Sequence, residues 1–259
     1  MARITTFYIL LFSLELQTMY RSVKLITFDA MNTLFTTKHP PAKTYLLAAK
    51  ALYPQLEEES EKIDCLVQQN FSSVFKKYYA DYTKMGQSRK TSKDFWHNLI
   101  GETLNKSGVS LTDNDMKNVT NKLYKDYETT LHWEAYPEVE HVLQKLQGLK
   151  IRMGIVSNFD ERLEKVLASL DLIKYFEFVV YPPVSEGIGK PDPRFYQLVV
   201  DRFANCRANE ILHVGDSLQL DYEAAEKVGI NGLLIDRSNQ EQGNDFQTIS
   251  SLNALPELL

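Results

Sequence analysis

Leu25-Ile-Thr-Phe-Asp-Ala-Met-Asn-Thr-Leu34 is the stretch that decides the fold of this chain. Its first four residues are mostly apolar, as in a buried strand, and the run ends at a single carboxylate, Asp29. A polar turn with Asn32 and Thr33 follows. Open α/β folds place their active sites at the carboxyl ends of their strands, which is where Asp29 would lie. The segment alone also fits a buried strand whose Asp caps the next turn.

Polar groups also follow three later strands, and this repetition favours a functional site. The chain after Tyr136 alternates between strands and helices, which indicates a mostly parallel sheet. Ser157 and Asn158 end one predicted strand, Lys190 lies in a Pro-rich loop after another, and Asp216 ends a third with Asp221 close behind. A parallel sheet brings all these groups to its carboxyl edge, beside Asp29 and Thr33.

These residue types together suit phosphoryl transfer. A nucleophilic carboxylate needs a metal or cations to gather a phosphate dianion against it, and Asp29 with Asp216 would give the hard oxygen ligands that Mg²⁺ prefers. Ser157 can hydrogen-bond a phosphoryl oxygen, and Lys190 can neutralise developing charge. Thr33 and Asn158 are predicted to bind substrate at the same edge. Each residue taken singly could instead be a turn former, a helix cap or a solvated charge.

The segment between the first two motifs has a different pattern. Apolar residues recur at helical spacing in residues 37–133, as in Tyr45, Leu46, Ala49 and Leu52, while charged residues fill the other faces. Gly86, Gly101 and Gly108 are interpreted as breaks between about four helices. The prediction is an all-helical insertion in an α/β core. Five aromatic residues there are predicted mainly as core packing, with a minority lining a substrate pocket: Phe95, Trp96, Tyr124, Tyr127 and Trp133.

Composition excludes several other classes. The net charge is −5 with no basic stripe, so nucleic-acid binding is not expected. The two cysteines lie far apart, which argues against a disulfide framework and against a cysteine-based zinc site. The apolar run near residues 4–14 is too short to span a bilayer. We treat residues 1–20 as an N-terminal extension, expect no membrane partner, and expect a cytoplasmic or mitochondrial protein.

The four motifs resemble those of the haloacid dehalogenase superfamily of hydrolases. The resemblance covers nearly all of residues 20–240 and rests on Phe28 to Thr33, Val156 to Asn158, Gly189 to Pro193, and Val214 to Ser217 with Asp221. It implies a Rossmann-like parallel sheet formed by residues 21–36 and 134–259, with residues 37–133 as an α-helical cap. It also implies a Mg²⁺-dependent phosphohydrolase that acts on a small phosphorylated metabolite.

The resemblance assigns a role to each motif residue. Asp29 would form an aspartyl-phosphate and bind Mg²⁺, together with the backbone carbonyl of Met31 and the carboxylate of Asp216. Ser157 would bind the phosphoryl group and Lys190 would bridge Asp29 and phosphate. Asp221, grouped with the metal site, would hold Lys190 or a metal-bound water.

One position departs from the family pattern. Phosphatases of the superfamily carry a second Asp two residues after the nucleophile as general acid and base, and this chain has Met31 there. Methionine cannot transfer a proton, and a missing general acid typically costs ~10²–10⁴-fold in rate. Phosphate esters with good leaving groups would suffer least.

Three alternatives stay open at this stage. A 2-haloacid dehalogenase would also lack the second Asp, although the Gly215-Asp216 pair is typical of a metal-using member. A phosphonatase would need a Schiff-base lysine in the cap, for which Lys43, Lys50 and Lys62 are candidates. A degenerate member would bind a ligand or partner without turnover, although the intact Asp29, Ser157, Lys190 and Asp216 argue against it.

Overall fold

The computed structural model describes residues 20, 22–54, 56, 60–82, 91–203, 205–238 and 246–259. In these residues a six-stranded parallel sheet forms the centre of the α/β fold, as predicted, with strand order β5-β4-β1-β6-β7-β8. The predicted N-terminal extension lies outside the described residues apart from Tyr20. The sheet strands are β1 (Leu25–Phe28), β4 (Arg152–Val156), β5 (Phe178–Val180), β6 (Ile211–Gly215), β7 (Asn231–Ile235) and β8 (Thr248–Ile249).

The register of the sheet brings the predicted site residues together. Phe28 in β1 pairs with Ile155 of β4 on one side and with Val214 of β6 on the other. Asp29 is therefore level with the last residues of both neighbours, and Ser157 and Asp216 follow one residue later. The chain runs outward from β1 through β4 to β5 and then returns to β6, so the strand order reverses beside Asp29, where open α/β sheets bind ligands.

Short helices cover the two faces of the sheet. Their apolar sides supply Val142, Leu143, Leu167 and Tyr196 to the buried core. The helices are α5 (Val139–Gly148), α6 (Leu163–Ser169), α7 (Pro193–Arg202) and α8 (Glu223–Glu226), the last preceded by a wide helical turn over Leu218–Tyr222. A 3₁₀ turn, Leu252–Glu257, follows β8.

Four helices lie between Thr37 and Trp133 in the described residues, and we call them the α1–α4 segment. They are α1 (Pro41–Leu52), α2 (Ser60–Tyr82), α3 (Ser92–Lys106) and α4 (Asp113–Asp126). Two short antiparallel strands, β2 (Phe35–Thr37) and β3 (Trp133–Ala135), join the segment to the sheet, and the sequence analysis did not predict them. The boundaries of core and cap at residues 36/37 and 133/134 stay a prediction.

The break predicted at Gly101 is wrong, because Gly101 lies inside α3 and is buried. A β carbon on Gly101 would lie 3.6 Å from the side chain of Met116 in α4. A β carbon at that distance would make an ordinary van der Waals contact, so packing does not require the glycine; the local signal for a helix break is overridden by the packing of α3 against α4. Gly108, at φ +89°, does follow the end of α3, and Gly86 lies outside the described residues. None of the described helices is long and apolar enough to cross a bilayer.

A substitution at Gly154 in β4 tests the packing of the sheet edge. A β carbon there would lie 2.2 Å from Cζ of Phe178 in β5, so Gly154→Ala must displace a buried ring. We expect the free energy of unfolding to fall by about 1–3 kcal/mol. Urea denaturation followed by circular dichroism measures it. Gly148→Ala in α5 is the matched control, because no atom of the described residues lies within 4 Å of the added β carbon. Equal losses of unfolding free energy in both variants would contradict the packing argument.

Candidate active site

A buried ammonium joins two carboxylates at the carboxyl edge of the sheet. Lys190 Nζ lies 2.5 Å from Asp29 Oδ1 and 2.5 Å from Asp221 Oδ1, and all three side chains are almost fully buried. Burial alone would lower the pKa of Lys190, but Asp221 and Asp29 raise that pKa above its ordinary value. Lys190 is therefore a permanent positive charge beside the predicted nucleophile.

Asp221 is held by protein donors on both of its oxygens. Oδ1 also lies 3.1 Å from His213 Nε2, and Oδ2 accepts a hydrogen bond from the backbone N–H of Ser217 at 2.9 Å. Burial lowers the pKa of His213, so its ring is neutral, and its Nδ1 lies 2.8 Å from the Thr27 hydroxyl. The neutral ring can then donate through Nε2 to Asp221 and accept from Thr27. Asp221 orients Lys190 and has no oxygen left without a donor.

Gly215 is required by this arrangement. A β carbon on Gly215 would lie 2.2 Å from Cγ of Asp221. Only glycine lets the Asp221 carboxylate approach the end of β6 so closely. The Gly in the fourth motif is thus explained by packing against the carboxylate that holds Lys190.

The other predicted residues divide into those that face the cavity above the sheet and those that do not. Ser157 and Asp216 line it, as do Met31 and Asn158. Both polar atoms of the Asn158 amide are used by Lys190, since Nδ2 donates to its carbonyl at 2.8 Å and Oδ1 accepts from its N–H at 2.7 Å. Thr33 is fully buried and is not among the lining residues, and its Oγ1 has no hydrogen-bond partner among the described residues.

The turn after β1 is fixed by residues that the sequence analysis missed. Asn32 adopts φ +61° and donates from Nδ2 to Asp216 Oδ2 at 3.3 Å. Arg237, just after β7, donates to the carbonyls of Asn32 and Thr33 and pairs with Glu138 at 2.7 Å. Arg237 therefore holds the loop that carries Met31. A lone Arg after a strand gives no sequence signal of this role.

Asp29 lies in an excess of negative charge. Burial raises the pKa of Asp29 most, Lys190 lowers it, and the neighbouring Asp221 and Asp216 raise it further; the net shift is upward. Three carboxylates thus surround one ammonium, which favours a further cation. The described residues contain no cluster of three or more His, Cys, Asp and Glu side chains suited to a metal. The carboxylates of Asp29 and Asp216 and the backbone carbonyl of Met31 fit Mg²⁺, because this ion binds one or two carboxylates together with carbonyls and water.

The cavity extends from the acidic cluster into the α1–α4 segment and has a volume of about 420 Å³. Four of the five aromatic residues that the sequence predicted mainly as core line it, and Phe95 does not. Lys43 and Lys50 are not among its lining residues, and the side chain of Lys62 lies outside the described part of the chain. The rings that line it are Tyr45, Phe71, Phe75, Tyr79, Trp96, Tyr124, Tyr127, Trp133 and Phe159.

A buried ion pair connects the loop after β4 to this aromatic wall. Arg162 binds both carboxylate oxygens of Asp160, at 2.8 and 2.5 Å, and Trp96 Nε1 donates to the same carboxylate at 2.7 Å. The Arg162 guanidinium also lies over the rings of Trp96 and Tyr124 at 4.9 and 4.3 Å. Burial would raise the pKa of Asp160, but Arg162 and Trp96 hold that pKa below its usual value. The sequence analysis assigned no role to this pair.

The haloacid dehalogenase-like hydrolase family model matches residues 23–229. The chain therefore belongs to this family and is a hydrolase. It is similar to human haloacid dehalogenase-like hydrolase domain-containing protein 3, with 30% identity over 216 residues that cover 82% of each chain. It is also 30% identical to the rhythmically expressed gene 2 protein of Drosophila melanogaster, over 223 residues and 82% of each chain.

Solved structures confirm the fold class. The HAD-hydrolase YfnB of Bacillus subtilis, which was solved bound to magnesium, is similar with a TM-score of 0.67 at 15% identity, covering 90% of this chain and 96% of that chain. Neighbours of similar fold include both 2-haloacid dehalogenases and a phosphatase. At these identities the likeness concerns the fold alone.

Removing the charge of Arg162 should destabilise the protein strongly. Arg162→Met leaves Asp160 buried without its cation, which we expect to cost about 3–5 kcal/mol of the free energy of unfolding. Urea denaturation at pH 7 measures the loss. Asp160→Asn combined with Arg162→Met is the matched control, because it removes both charges and keeps an acceptor for Trp96.

The loss should depend on pH in a defined direction. Since the pKa of Asp160 is lowered in the folded protein, its stabilisation is present at neutral pH and is lost as the pH falls below about 4. The difference between wild type and Arg162→Met should therefore shrink on acidification. A difference that stays constant, or a double variant as unstable as the single one, would contradict an ion pair of this importance.

Proposed function

We propose that the protein is a Mg²⁺-dependent phosphohydrolase that acts on a small phosphorylated metabolite through an aspartyl-phosphate on Asp29. The observation that carries the proposal is the cluster of Asp29, Lys190 and Asp221, in which Lys190 lies 2.5 Å from each carboxylate. The cluster lies at the end of β1 and lines the cavity. Family membership supports hydrolysis. The α1–α4 segment would act as the cap over this site.

In the proposed reaction a carboxylate oxygen of Asp29 attacks the phosphorus. The ester P–O bond breaks, and its electron pair leaves with the alcohol oxygen, which takes a proton from water. Water then adds to the phosphorus of the aspartyl-phosphate, releases inorganic phosphate and restores the carboxylate. Lys190 would neutralise the phosphoryl charge, and the Ser157 hydroxyl would hydrogen-bond a phosphoryl oxygen.

Asp29, Asp216 and the backbone carbonyl of Met31 would hold Mg²⁺. The cation would supply charge neutralisation for the phosphate dianion. Asp221 would act through Lys190, because its two oxygens already accept hydrogen bonds from Lys190, His213 and Ser217. Asn158 would also position Lys190, because its side-chain amide hydrogen-bonds the backbone carbonyl and N–H of Lys190.

A second candidate function is 2-haloacid dehalogenation. Two observations favour it, namely Met31 in place of a proton donor and the mainly apolar cavity. In that reaction Asp29 would displace halide from carbon and would need no metal. Asp216 favours the phosphohydrolase, since its charge raises the pKa of Asp29 and disfavours the ionised nucleophile unless a cation besides Lys190 offsets it. Halide release from a 2-haloacid distinguishes the two, as does the effect of Mg²⁺ on turnover.

Asp29→Asn tests the proposed nucleophile. We expect hydrolysis of p-nitrophenyl phosphate to be lost and Mg²⁺ dependence to disappear with it, because the amide cannot form the acyl phosphate. Steady-state rates with and without Mg²⁺ measure the effect. Asp192→Asn is the matched control, because Asp192 is two residues after Lys190, is not a cavity-lining residue, and caps α7 while pairing with Arg194. Activity retained in Asp29→Asn would overturn the assignment.

Met31→Asp tests the missing proton donor. The Met31 side chain is 36% exposed and lines the cavity, so a carboxylate there can reach a bound ester. We expect turnover of an alkyl phosphate to rise by about tenfold or more, within the ~10²–10⁴ range of general acid catalysis. Met31→Asn is the control, because asparagine has nearly the same shape as aspartate and its amide cannot act as a general acid. Equal rates in both variants would show that proton transfer does not limit the reaction.

A further inference from the structure

The organic half of the cavity is built mainly from ring carbon. Seven of the nine aromatic lining residues offer no unused hydrogen-bond donor to a ligand. Three are phenylalanines, and four have their polar atoms bound by the protein. Trp96 Nε1 donates to Asp160, Tyr124 Oη donates to Glu161, Tyr127 Oη pairs with Thr44, and Trp133 Nε1 donates to the Tyr127 carbonyl, at distances of 2.7, 2.5, 2.7 and 3.0 Å.

A polyhydroxylated substrate fits such a wall poorly. Each hydroxyl of a sugar that leaves water needs a partner in the site, and an unpaired buried hydroxyl is costly. A planar apolar group needs no such partner and can stack edge-on or offset against rings. Two of the rings are also held by charge, because the Arg162 guanidinium lies over Trp96 and Tyr124 while it pairs with Asp160.

The residues around Asp29 independently favour a phosphate ester of an aromatic alcohol. In the proposed reaction Met31 takes the place of the proton donor, and it lines the cavity with Asp29, so this side chain would give the departing oxygen no proton. The pKa of a phenol is about 10, whereas the pKa of water is about 16 and that of an aliphatic alcohol is similar. An aryl oxide therefore leaves with the electron pair of the P–O bond without protonation, and it takes its proton from water afterwards. Both ends of the site thus favour an aryl ester.

Building on the proposed function, we propose that the natural substrate class is a small aryl phosphate. Its phosphoryl group would lie against Asp29, Lys190 and Ser157, and its ring would lie among the aromatic residues of the α1–α4 segment. The cavity of about 420 Å³ holds a ligand of one or two rings with its phosphate. Sugar phosphates and nucleotides, which carry several hydroxyls, are disfavoured.

A panel of esters separates the two contributions. Phenyl phosphate has both the ring and the good leaving group, benzyl phosphate has the ring alone, acetyl phosphate has the leaving group alone, and glucose 6-phosphate has neither. We expect kcat/KM to be at least about 10²-fold higher for phenyl phosphate than for glucose 6-phosphate, with benzyl phosphate between them. A glucose 6-phosphate value equal to or above that of phenyl phosphate would overturn the proposal.

Phe75→Leu tests whether the rings act on the substrate. Phe75 lines the cavity between Phe71 and Tyr79, with ring centroids 5.7 and 5.5 Å away. We expect kcat/KM for phenyl phosphate to fall about fivefold and that for acetyl phosphate to be unchanged. Phe203→Leu is the matched control, because Phe203 is buried at the edge of the sheet against Phe178 and is not a lining residue. A parallel loss on both substrates would mean that the ring has only a structural role.

The experiment also separates failure of this inference from failure of the proposed function. Absence of turnover of acetyl phosphate with Mg²⁺ would reject the phosphohydrolase. Binding of phenylphosphonate and of methylphosphonate, measured by calorimetry, then still decides the inference, because neither compound requires turnover. Binding of phenylphosphonate at least about tenfold tighter supports the aromatic site, and equal affinities reject it.

Discussion

The rest of the structure depends on the buried ammonium of Lys190. A cation with 2% of its surface exposed is tolerable because Asp29 and Asp221 both lie 2.5 Å away, and removal of the ammonium would leave both carboxylates without their shared cation. The three groups come from the end of β1, the loop before α7 and the turn after β6. One interaction therefore fixes the mutual position of three separate chain segments. It also explains why the strand ends must stay in register, since a shift of one residue would carry Asp29 to the opposite face.

Several neighbouring residues are best understood as supports of this ammonium. The Asn158 amide grips the backbone of Lys190 on both sides, and Gly215 is bare so that the Asp221 carboxylate can approach. His213 and Thr27 extend the network into the sheet beneath. The motifs thus encode a rigid electrostatic frame as much as reactive groups. Preorganised charge of this kind costs no rearrangement when a phosphate enters.

The sequence predicted the parts of the site that depend on the strands. Asp29, Ser157 and Asp216 each follow an apolar run, and a parallel sheet has one carboxyl edge, so their convergence follows from local pattern and topology. Contacts made across the fold could not be predicted. Arg162 and Arg237 lie on segments with no special composition. Only tertiary packing brings Arg162 over the rings of Trp96 and Tyr124, and Arg237 to the carbonyl of Asn32. The helix break predicted at Gly101 was wrong for the same reason, because the packing of α3 against α4 around Met116 outweighed the local preference of glycine. The aromatic residues of the insertion followed helical periodicity, which does not distinguish a helix face that contacts core from one that contacts a cavity.

The division of the site between two chain segments has a consequence for specificity. The sheet provides the charges that would receive a phosphate, and the α1–α4 segment provides the rings that surround its organic part. One buried connection between the two is the Asp160 carboxylate, which binds both Arg162 and Trp96. This carboxylate follows Ser157 by three residues, so the position of the aromatic wall is tied to the strand end that would hold the phosphoryl group. Because the connection is an ion pair with 5% or less of either side chain exposed, solvent does not screen it, and its geometry is set by charge pairing. Ring position and phosphate position are thus coupled, while the rings themselves can change without disturbing the charges below.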